Sequence, residues 1–138
     1  QRIMDITVTN NEVELKKIID GEEILDMRKV LRDVPISKPV QEYALKVLLA
    51  THPENTTAQD ISKKYINYGA SPRGAQAMIS AAKIRALMEG RYNVAFEDIK
   101  YAAYPALRHR IFLNFEGIAD GITTDKLIAD ILDSVRIV

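Results

Sequence analysis

The sequence predicts a small, mainly α-helical domain. Its 138 residues are enough for one ordinary folded domain, and 47% of them are apolar while 28% are charged, which is typical of a globular protein. Apolar residues recur at helical spacing in several segments, most of them preceded by a residue that favours helix starts. We therefore expect a bundle of about four to six helices with at most a short two-stranded β element.

Composition excludes several classes of function. Nineteen Lys plus Arg residues balance nineteen Asp plus Glu residues, so the broad positive field that nucleic-acid binding relies on is missing, and we expect no nucleic-acid partner. The chain has no Cys and only two His residues, which rules out a disulfide framework and a zinc site built by this chain alone. No apolar run approaches the roughly 20 residues of a membrane span. These features favour a reducing, cytoplasmic location.

Residues 1–20 are predicted to be a lead-in from a preceding domain, and residues 21–138 the helical domain. In segment 2–13, apolar and polar residues alternate, which is typical of an extended chain. The chain begins with Gln1 rather than Met. We therefore expect it to be a piece of a longer protein.

Two helices are predicted in the first part of the helical domain. Asp20 and Glu23 have the spacing of a capping box, which predicts a helix over 21–33. Ser37 can cap a second helix, whose first turn tolerates Pro39. Both helices carry an apolar stripe at helical spacing.

The central helix is predicted to begin at Ser71-Pro72. A serine can cap a helix with its hydroxyl, and proline suits the first helical position. Gly90 is well placed to end this helix. The next helix is expected to begin near Glu97, and Pro105 is expected to interrupt it because proline lacks the N–H that a helix interior uses.

Three shorter elements complete the predicted architecture. Segment 58–64 is expected to form a helical turn within a long loop. Segment 111–115 is apolar and β-prone, and we expect it to pair with segment 34–36. A final helix is expected to follow a cap at Thr123 or Thr124.

No self-contained enzyme site is visible. The sequence lacks a phosphate-binding G-x-x-x-x-G-K-[ST] loop, a dinucleotide-binding glycine pattern and the common hydrolase motifs. The acidic pairs at 22–23 and 97–98 are better explained as first-turn residues that stabilise helix starts. An enzyme with a hidden acid-base site is therefore the least favoured class.

The most informative segment is 69–74, which reads G-A-S-P-R-G. It places the guanidinium of Arg73 in the first turn of a predicted helix, where the helix dipole is already positive. An anion bound there by Arg73 and free backbone N–H groups would make the arrangement favourable. The alternative is an exposed arginine with a carboxylate neighbour.

A larger pattern surrounds this segment. The G-A-S-P-R-G run is followed by an alanine-rich helix over 75–90, by V-A-F-E-D-I at 94–99 and by A-L-R-H-R-I at 106–111. In order and spacing these elements resemble the C-terminal lid of MoxR-family AAA+ ATPases. The strong resemblance covers about residues 68–116.

The resemblance implies a role for three residues. Arg73 would be the sensor-II arginine, which reaches the γ-phosphate of ATP, while Ser71 and Pro72 would set the helix start that aims it. It further implies that ATP and Mg²⁺ bind on an N-terminal α/β ATPase domain of the same chain, outside this sequence. We expect no ATP hydrolysis by this chain alone.

The resemblance also implies partners and a cellular role. The parent protein is expected to form a homo-oligomeric ring with six subunits. ATP-driven changes of conformation would then remodel or mature client proteins in a chaperone-like way, with von Willebrand factor A-type proteins as possible partners.

The sequence departs from the family at two places, and one family element has no assigned role. Gly74 stands where the family usually has Ala, which is expected to loosen the first turn slightly, and 95–96 replaces the usual Thr-Pro cap. Arg108, His109 and Arg110 match the family, and without a role we expect His109 to be partly buried and the arginines to be paired at the surface.

An alternative function is a stand-alone helical interaction or regulatory module. Its acidic partner would bind the basic runs at 63–65 and 108–110. Arg91, near the end of the central helix opposite Arg73, is expected to be nearly silent when replaced by Ala, and so to be a control for Arg73.

Overall fold

The fold is mainly helical, as predicted. The computed structural model describes residues 15–56 and 58–137, so the predicted extended segment 2–13 lies outside the described residues. Within those ranges there are seven helices and two short strands: α1 (Gly21–Asp33), α2 (Lys38–Ala50), α3 (Asp60–Tyr65), β1 (Ile66–Tyr68), α4 (Pro72–Met88), α5 (Phe96–Leu107), β2 (Phe112–Leu113), α6 (Phe115–Ala119) and α7 (Thr124–Ser134). The helix count exceeds the prediction because α3 and α6 are short helices between longer ones.

The chain divides into two compact units, one ending at Val30 and the other comprising Leu31–Val138. In the first, the predicted capping box at the start of α1 is confirmed. The backbone N–H of Asp20 donates to Glu23 Oε2 at 2.8 Å, and that of Glu23 donates to Asp20 Oδ1 at 3.0 Å. These two hydrogen bonds satisfy backbone donors near the helix start, which fixes where α1 begins.

The core of the second unit is built around α4 and α5. Small residues line their contact, and Ala82, Ala102 and Ala103 are fully buried. Gly74 belongs to the same close approach, since a Cβ there would lie 3.1 Å from Leu107 Cδ2. Larger side chains from α2, α4, α5 and α7 fill the surrounding space, among them Val47, Met78, Ile99, Leu127, Ile128 and Ile131. Close packing of small residues thus sets the distance between the two central helices.

The small sheet pairs other segments than predicted. Strand β2 lies antiparallel to β1, with Ile66 opposite Leu113 and Tyr68 opposite Phe112. The expected pairing with segment 34–36 is wrong. Pro35 has no N–H to donate to a ladder, and its carbonyl instead accepts from the N–H of Val94 at 3.3 Å.

The predicted interruption at Pro105 is also wrong, because α5 continues to Leu107. Pro105 lies on the exposed side of the helix, whereas Ala106 and Leu107 are buried in the core. Burial of these residues offsets the hydrogen bond that proline cannot make.

The predicted caps are confirmed only in part. At Thr123 the hydroxyl accepts from the N–H of Lys126, at 3.2 Å. Ser37 and Ser71 occupy the N-cap positions of α2 and α4, but neither side chain makes a capping hydrogen bond. Proline in the first turn marks both of these helix starts.

We predict that Ile128→Ala destabilises the chain by about 2–5 kcal/mol, because Ile128 is only 1% exposed and its removal leaves a cavity in the core. Ile118→Ala is the matched control, since Ile118 is 66% exposed and should change stability by less than about 0.5 kcal/mol. Urea unfolding followed by circular dichroism measures both. Equal effects in the two variants would contradict the described core.

Candidate functional site

Arg73 lies in the first turn of α4 and is exposed. No acidic residue shares that turn, and none of the ion pairs among residues 15–56 and 58–137 involves Arg73. The carboxylate neighbour of the alternative interpretation is therefore not found in the described part of the chain. A permanent positive charge thus lies at the positive end of a helix dipole, with no carboxylate partner among the described residues.

The turn before Arg73 is held by the end of α2. The N–H of Ala70 donates to Thr51 Oγ1 at 3.0 Å, and the carbonyl of Ala70 lies 2.9 Å from Nε2 of His52. Both Ala70 and Thr51 are fully buried. Thr51 and His52, at the end of α2, therefore satisfy both backbone polar groups of Ala70.

Gly69 permits this contact between the two segments. A Cβ at position 69 would lie 2.6 Å from the carbonyl oxygen of Thr51 and 2.9 Å from Cγ of His52. The first distance is far below an ordinary contact and involves backbone, so a side chain could not be accommodated without moving one segment. Gly69, the first glycine of the G-A-S-P-R-G run, is thus required by close approach rather than by an unusual backbone angle.

A shallow groove of about 530 Å³ lies beside this turn. Its lining combines polar and aromatic groups from the turn, the α5–β2 connection and the sheet: Tyr68, Gly69, Ser71, His109, Arg110 and Phe112. The two aromatic side chains are 67% and 61% exposed, respectively. The structure therefore brings Ser71 close to His109 and Arg110, which the sequence analysis did not predict because it missed the β1–β2 pairing.

The residues of the 108–110 element have different partners. Arg108 pairs with Asp125, Nε to Oδ1, at 3.1 Å, while Arg110 donates to the carbonyl of Ala106 at 2.8 Å and contacts the ring of His109. The expectation of surface pairing holds for Arg108. The expected partial burial of His109 is wrong, since its side chain is exposed.

The second basic run, 63–65, is partly engaged within the domain. Lys64 Nζ lies 3.3 Å from a carboxylate oxygen of Glu116 and donates to the hydroxyl of Tyr65 at 2.9 Å. The hydrogen bonds to Tyr65 and Glu116 raise the pKa of Lys64 above its ordinary value. Within this run, Lys64 is therefore engaged inside the domain, whereas Lys63 is exposed and has no ion pair among the described residues.

Arg91 follows the other end of α4 and is not the neutral position that its sequence location indicated. Its guanidinium binds the Asp98 carboxylate through two hydrogen bonds, each of 2.7 Å, and Asp98 is fully buried. The same carboxylate accepts from the N–H of Ala95 at 2.8 Å. Ala95 is the N-cap residue of α5, so this hydrogen bond stabilises the helix start in place of the usual Thr-Pro cap. The structure instead predicts that Arg91→Ala destabilises the fold, because it leaves the buried Asp98 carboxylate without this partner.

The ion pair also sets the protonation of Asp98. The hydrogen bonds from Arg91 lower the pKa of Asp98 below its ordinary value of 3.8, although burial acts in the opposite direction. Asp98 is therefore held as a carboxylate. Its role is to join the α4–α5 connection to the start of α5.

The described ranges contain neither a metal-binding cluster nor a membrane-spanning helix. No group of three or more His, Asp or Glu side chains there is arranged to hold a metal ion. None of the helices in these ranges is long and apolar enough to cross a bilayer.

Comparison with known proteins identifies the family of this fold, and the matched stretch includes Arg73. Residues 58–131 match the family described as the AAA lid domain. This stretch is more than half of the chain, and the chain therefore belongs to the AAA lid domain family. The relatives that it matches further identify the lid as one of the MoxR family.

Three relatives support this assignment. The chain is 29% identical over 125 residues to Chaperone MoxR1 of Mycobacterium tuberculosis, which is 90% of this chain and 33% of that protein. It is 41% identical over 51 residues to Protein MoxR of Paracoccus denitrificans, which is 37% of this chain and 15% of that protein. A crystal structure of a "putative ATPase" from Cytophaga hutchinsonii is 34% identical, with a TM-score of 0.84, over 99% of this chain and 42% of that chain.

The chain thus spans only a part of these relatives, about one third of the length of Chaperone MoxR1. The matched part lies around the two central helices and the segment that carries Arg73. The fold and the family are those of a lid.

We predict that Asp98→Asn destabilises the chain by about 1–3 kcal/mol, because it removes a buried, charge-assisted hydrogen-bond acceptor. The pKa of Asp98 is lowered in the folded state, so the carboxylate stabilises the fold above the unfolded value of 3.8, and this contribution is lost as the pH falls below it. Urea unfolding from about pH 6 to about pH 3 should show this loss in the wild type.

The same titration includes its own control. Asp98→Asn should reduce the acid-dependent loss of stability, whereas Asp125→Asn, which removes an exposed partner of Arg108, should leave most of it in place. An unchanged pH profile in Asp98→Asn would exclude this carboxylate as a source of the acid sensitivity.

Proposed function

We propose that this lid supplies the sensor-II arginine of a MoxR-like AAA+ ATPase, and that Arg73 is that arginine. The observation that carries the proposal is the exposed Arg73 in the first turn of α4, which has no carboxylate partner in the described part of the chain. The γ-phosphate of ATP is an anion of the kind that this charge arrangement favours.

The chemistry of the side chain fits this role. A guanidinium stays charged and can donate two parallel hydrogen bonds to phosphate oxygens. The first turn of α4 adds the positive end of its dipole. Ser71 and Pro72 contribute by fixing where the helix begins, because Ser71 occupies the N-cap position and proline the first turn.

The lid would couple the state of the nucleotide to its own position. Arg73 contacts the terminal phosphate before hydrolysis and loses that contact afterwards, so ATP and its products favour different lid positions. Helix α4 has 17 residues and is therefore roughly 25 Å long. It carries a displacement at Arg73 through to the Arg91–Asp98 ion pair and hence to α5.

The remaining parts of the machine belong to the proposed parent protein. ATP and Mg²⁺ would bind on an N-terminal α/β ATPase domain of the same chain, with Arg73 as this lid's contribution to holding the nucleotide. The parent would assemble into a homo-oligomeric ring, taken to be a hexamer, in the cytoplasm. It would remodel or mature client proteins, with von Willebrand factor A-type proteins as partners and no nucleic acid.

The stand-alone interaction module is the weaker alternative. Its proposed basic surfaces include Lys64 and Arg108, and both of these side chains already pair with carboxylates of the same domain. An acidic partner that used these two side chains would have to displace those ion pairs.

We predict that Arg73→Ala in the full-length ATPase lowers ATP turnover by roughly a hundredfold, because it removes a donor to charge that develops on the transferred phosphoryl group. Thermal unfolding should change little, since Arg73 is exposed and unpaired among the described residues. Arg73→Lys should restore only part of the turnover, because lysine retains the charge and loses the planar fork.

The matched control is Arg136→Ala, which removes another exposed arginine that has no ion pair in the described part of the chain. Turnover and unfolding temperature should both stay close to those of the wild type. Unchanged turnover in Arg73→Ala would refute the sensor-II assignment, even with the fold intact.

A further inference from the structure

We propose that Thr51 and His52, at the end of α2, are positioning residues that fix the direction of Arg73. This inference rests on the proposed function of Arg73. Neither residue is expected to touch nucleotide. They act through the backbone of Ala70, which lies two residues before the start of α4.

Thr51 is itself fixed in one orientation. Its hydroxyl donates to the carbonyl of Leu48 at 2.7 Å and accepts from the N–H of Ala70 at 3.0 Å. The side chain is fully buried, so water cannot replace either partner. The last turn of α2 therefore fixes the Thr51 hydroxyl, and this hydroxyl fixes the turn before α4 through Ala70.

His52 holds the other polar group of the same residue. Its Nε2 lies 2.9 Å from the carbonyl oxygen of Ala70, which can only accept, so Nε2 carries the hydrogen. Its Nδ1 lies 2.9 Å from a carboxylate oxygen of Glu54 and donates to it when both ring nitrogens carry a hydrogen, since a carboxylate only accepts. The peptide groups on both sides of Ala70 are thus fixed by side chains that are themselves held.

The turn before α4 and the end of α2 are in close contact. Gly69 approaches the backbone of Thr51 so closely that there is no room for a Cβ, and Ala70 is fully buried. At the helix start itself, Ser71 makes no capping hydrogen bond through its side chain. The direction of the first turn is therefore set upstream, at Ala70, rather than by the serine at the N-cap.

This arrangement makes the position of Arg73 depend on α2. Pro72 has a fixed φ, so it passes the orientation of the preceding turn into the helix with little freedom. A displacement of about 1 Å at a group that stabilises a transition state can cost up to a hundredfold in rate. Loss of either contact at Ala70 should therefore impair turnover without removing any group from the ATP site.

The test compares Thr51→Val with Thr51→Ser in the full-length ATPase. Valine has the shape of threonine without the hydroxyl, whereas serine keeps the hydroxyl. Thr51→Val should lower kcat by roughly tenfold or more, with a smaller change in KM, and Thr51→Ser should restore most of the activity. Thr123→Val is the matched control, because it removes the capping hydroxyl of α7, far along the chain from Arg73.

The double variant Arg73→Ala/Thr51→Val separates positioning from general loss of structure. If Thr51 acts through Arg73, the double variant should turn over ATP no more slowly than Arg73→Ala alone. His52→Leu serves as a second probe if Thr51→Val does not fold, since the His52 side chain is 27% exposed and tolerates replacement better.

The outcomes distinguish this inference from the proposed function. If Arg73→Ala lowers turnover while Thr51→Val behaves like Thr123→Val, the positioning role is wrong and the sensor-II role stands. Independent, multiplicative effects of Arg73→Ala and Thr51→Val would also refute positioning. If Arg73→Ala leaves turnover unchanged, the proposed function fails and the positioning role fails with it.

Discussion

The close approach of α4 to its neighbours is the constraint on which the rest of the structure depends. Alanines form much of its contact with α5, and Gly74 lies where a Cβ would press against Leu107. Gly69 allows the turn before α4 to lie directly on the end of α2. Because small residues leave no compressible layer, a displacement of α4 must move its neighbours as well. A helix packed in this way can act as a lever.

The arginines at the two ends of α4 have opposite environments. Beyond the C-terminal end, Arg91 is bound by the buried carboxylate of Asp98, and the pair joins α4 to the first turn of α5. At the N-terminal end, Arg73 is exposed at the positive end of the dipole, an arrangement that costs about 0.3–1 kcal/mol. The first arginine stabilises the fold, whereas the second is available for a ligand. Position along one helix does not distinguish these roles, but the partners do.

The sequence predicted features that depend on neighbouring residues and missed those that depend on distant ones. The capping box at Asp20 and the cap at Thr123 were predictable because each involves residues three apart. The β1–β2 pairing was not, since strands of two or three residues have no measurable period. The interruption expected at Pro105 failed because burial of the opposite face of α5 outweighed a local rule. Arg73 was singled out by its charge at a helix start and by resemblance; the family match confirms the lid around it, and its role stays a prediction.

The surroundings of Arg73 show why resemblance alone leaves a site incomplete. A motif names the residues that follow one another, such as Ser71 and Pro72, and so it attributes the aim of the arginine to them. The hydrogen bonds instead lead from Ala70 to Thr51 and His52, which lie 19 and 18 residues earlier in the chain. No pattern of spacing predicts that contact, since it exists only after α2 and α4 have packed. In the proposed mechanism, this contact would couple the position of Arg73 to α2 as well as to α5.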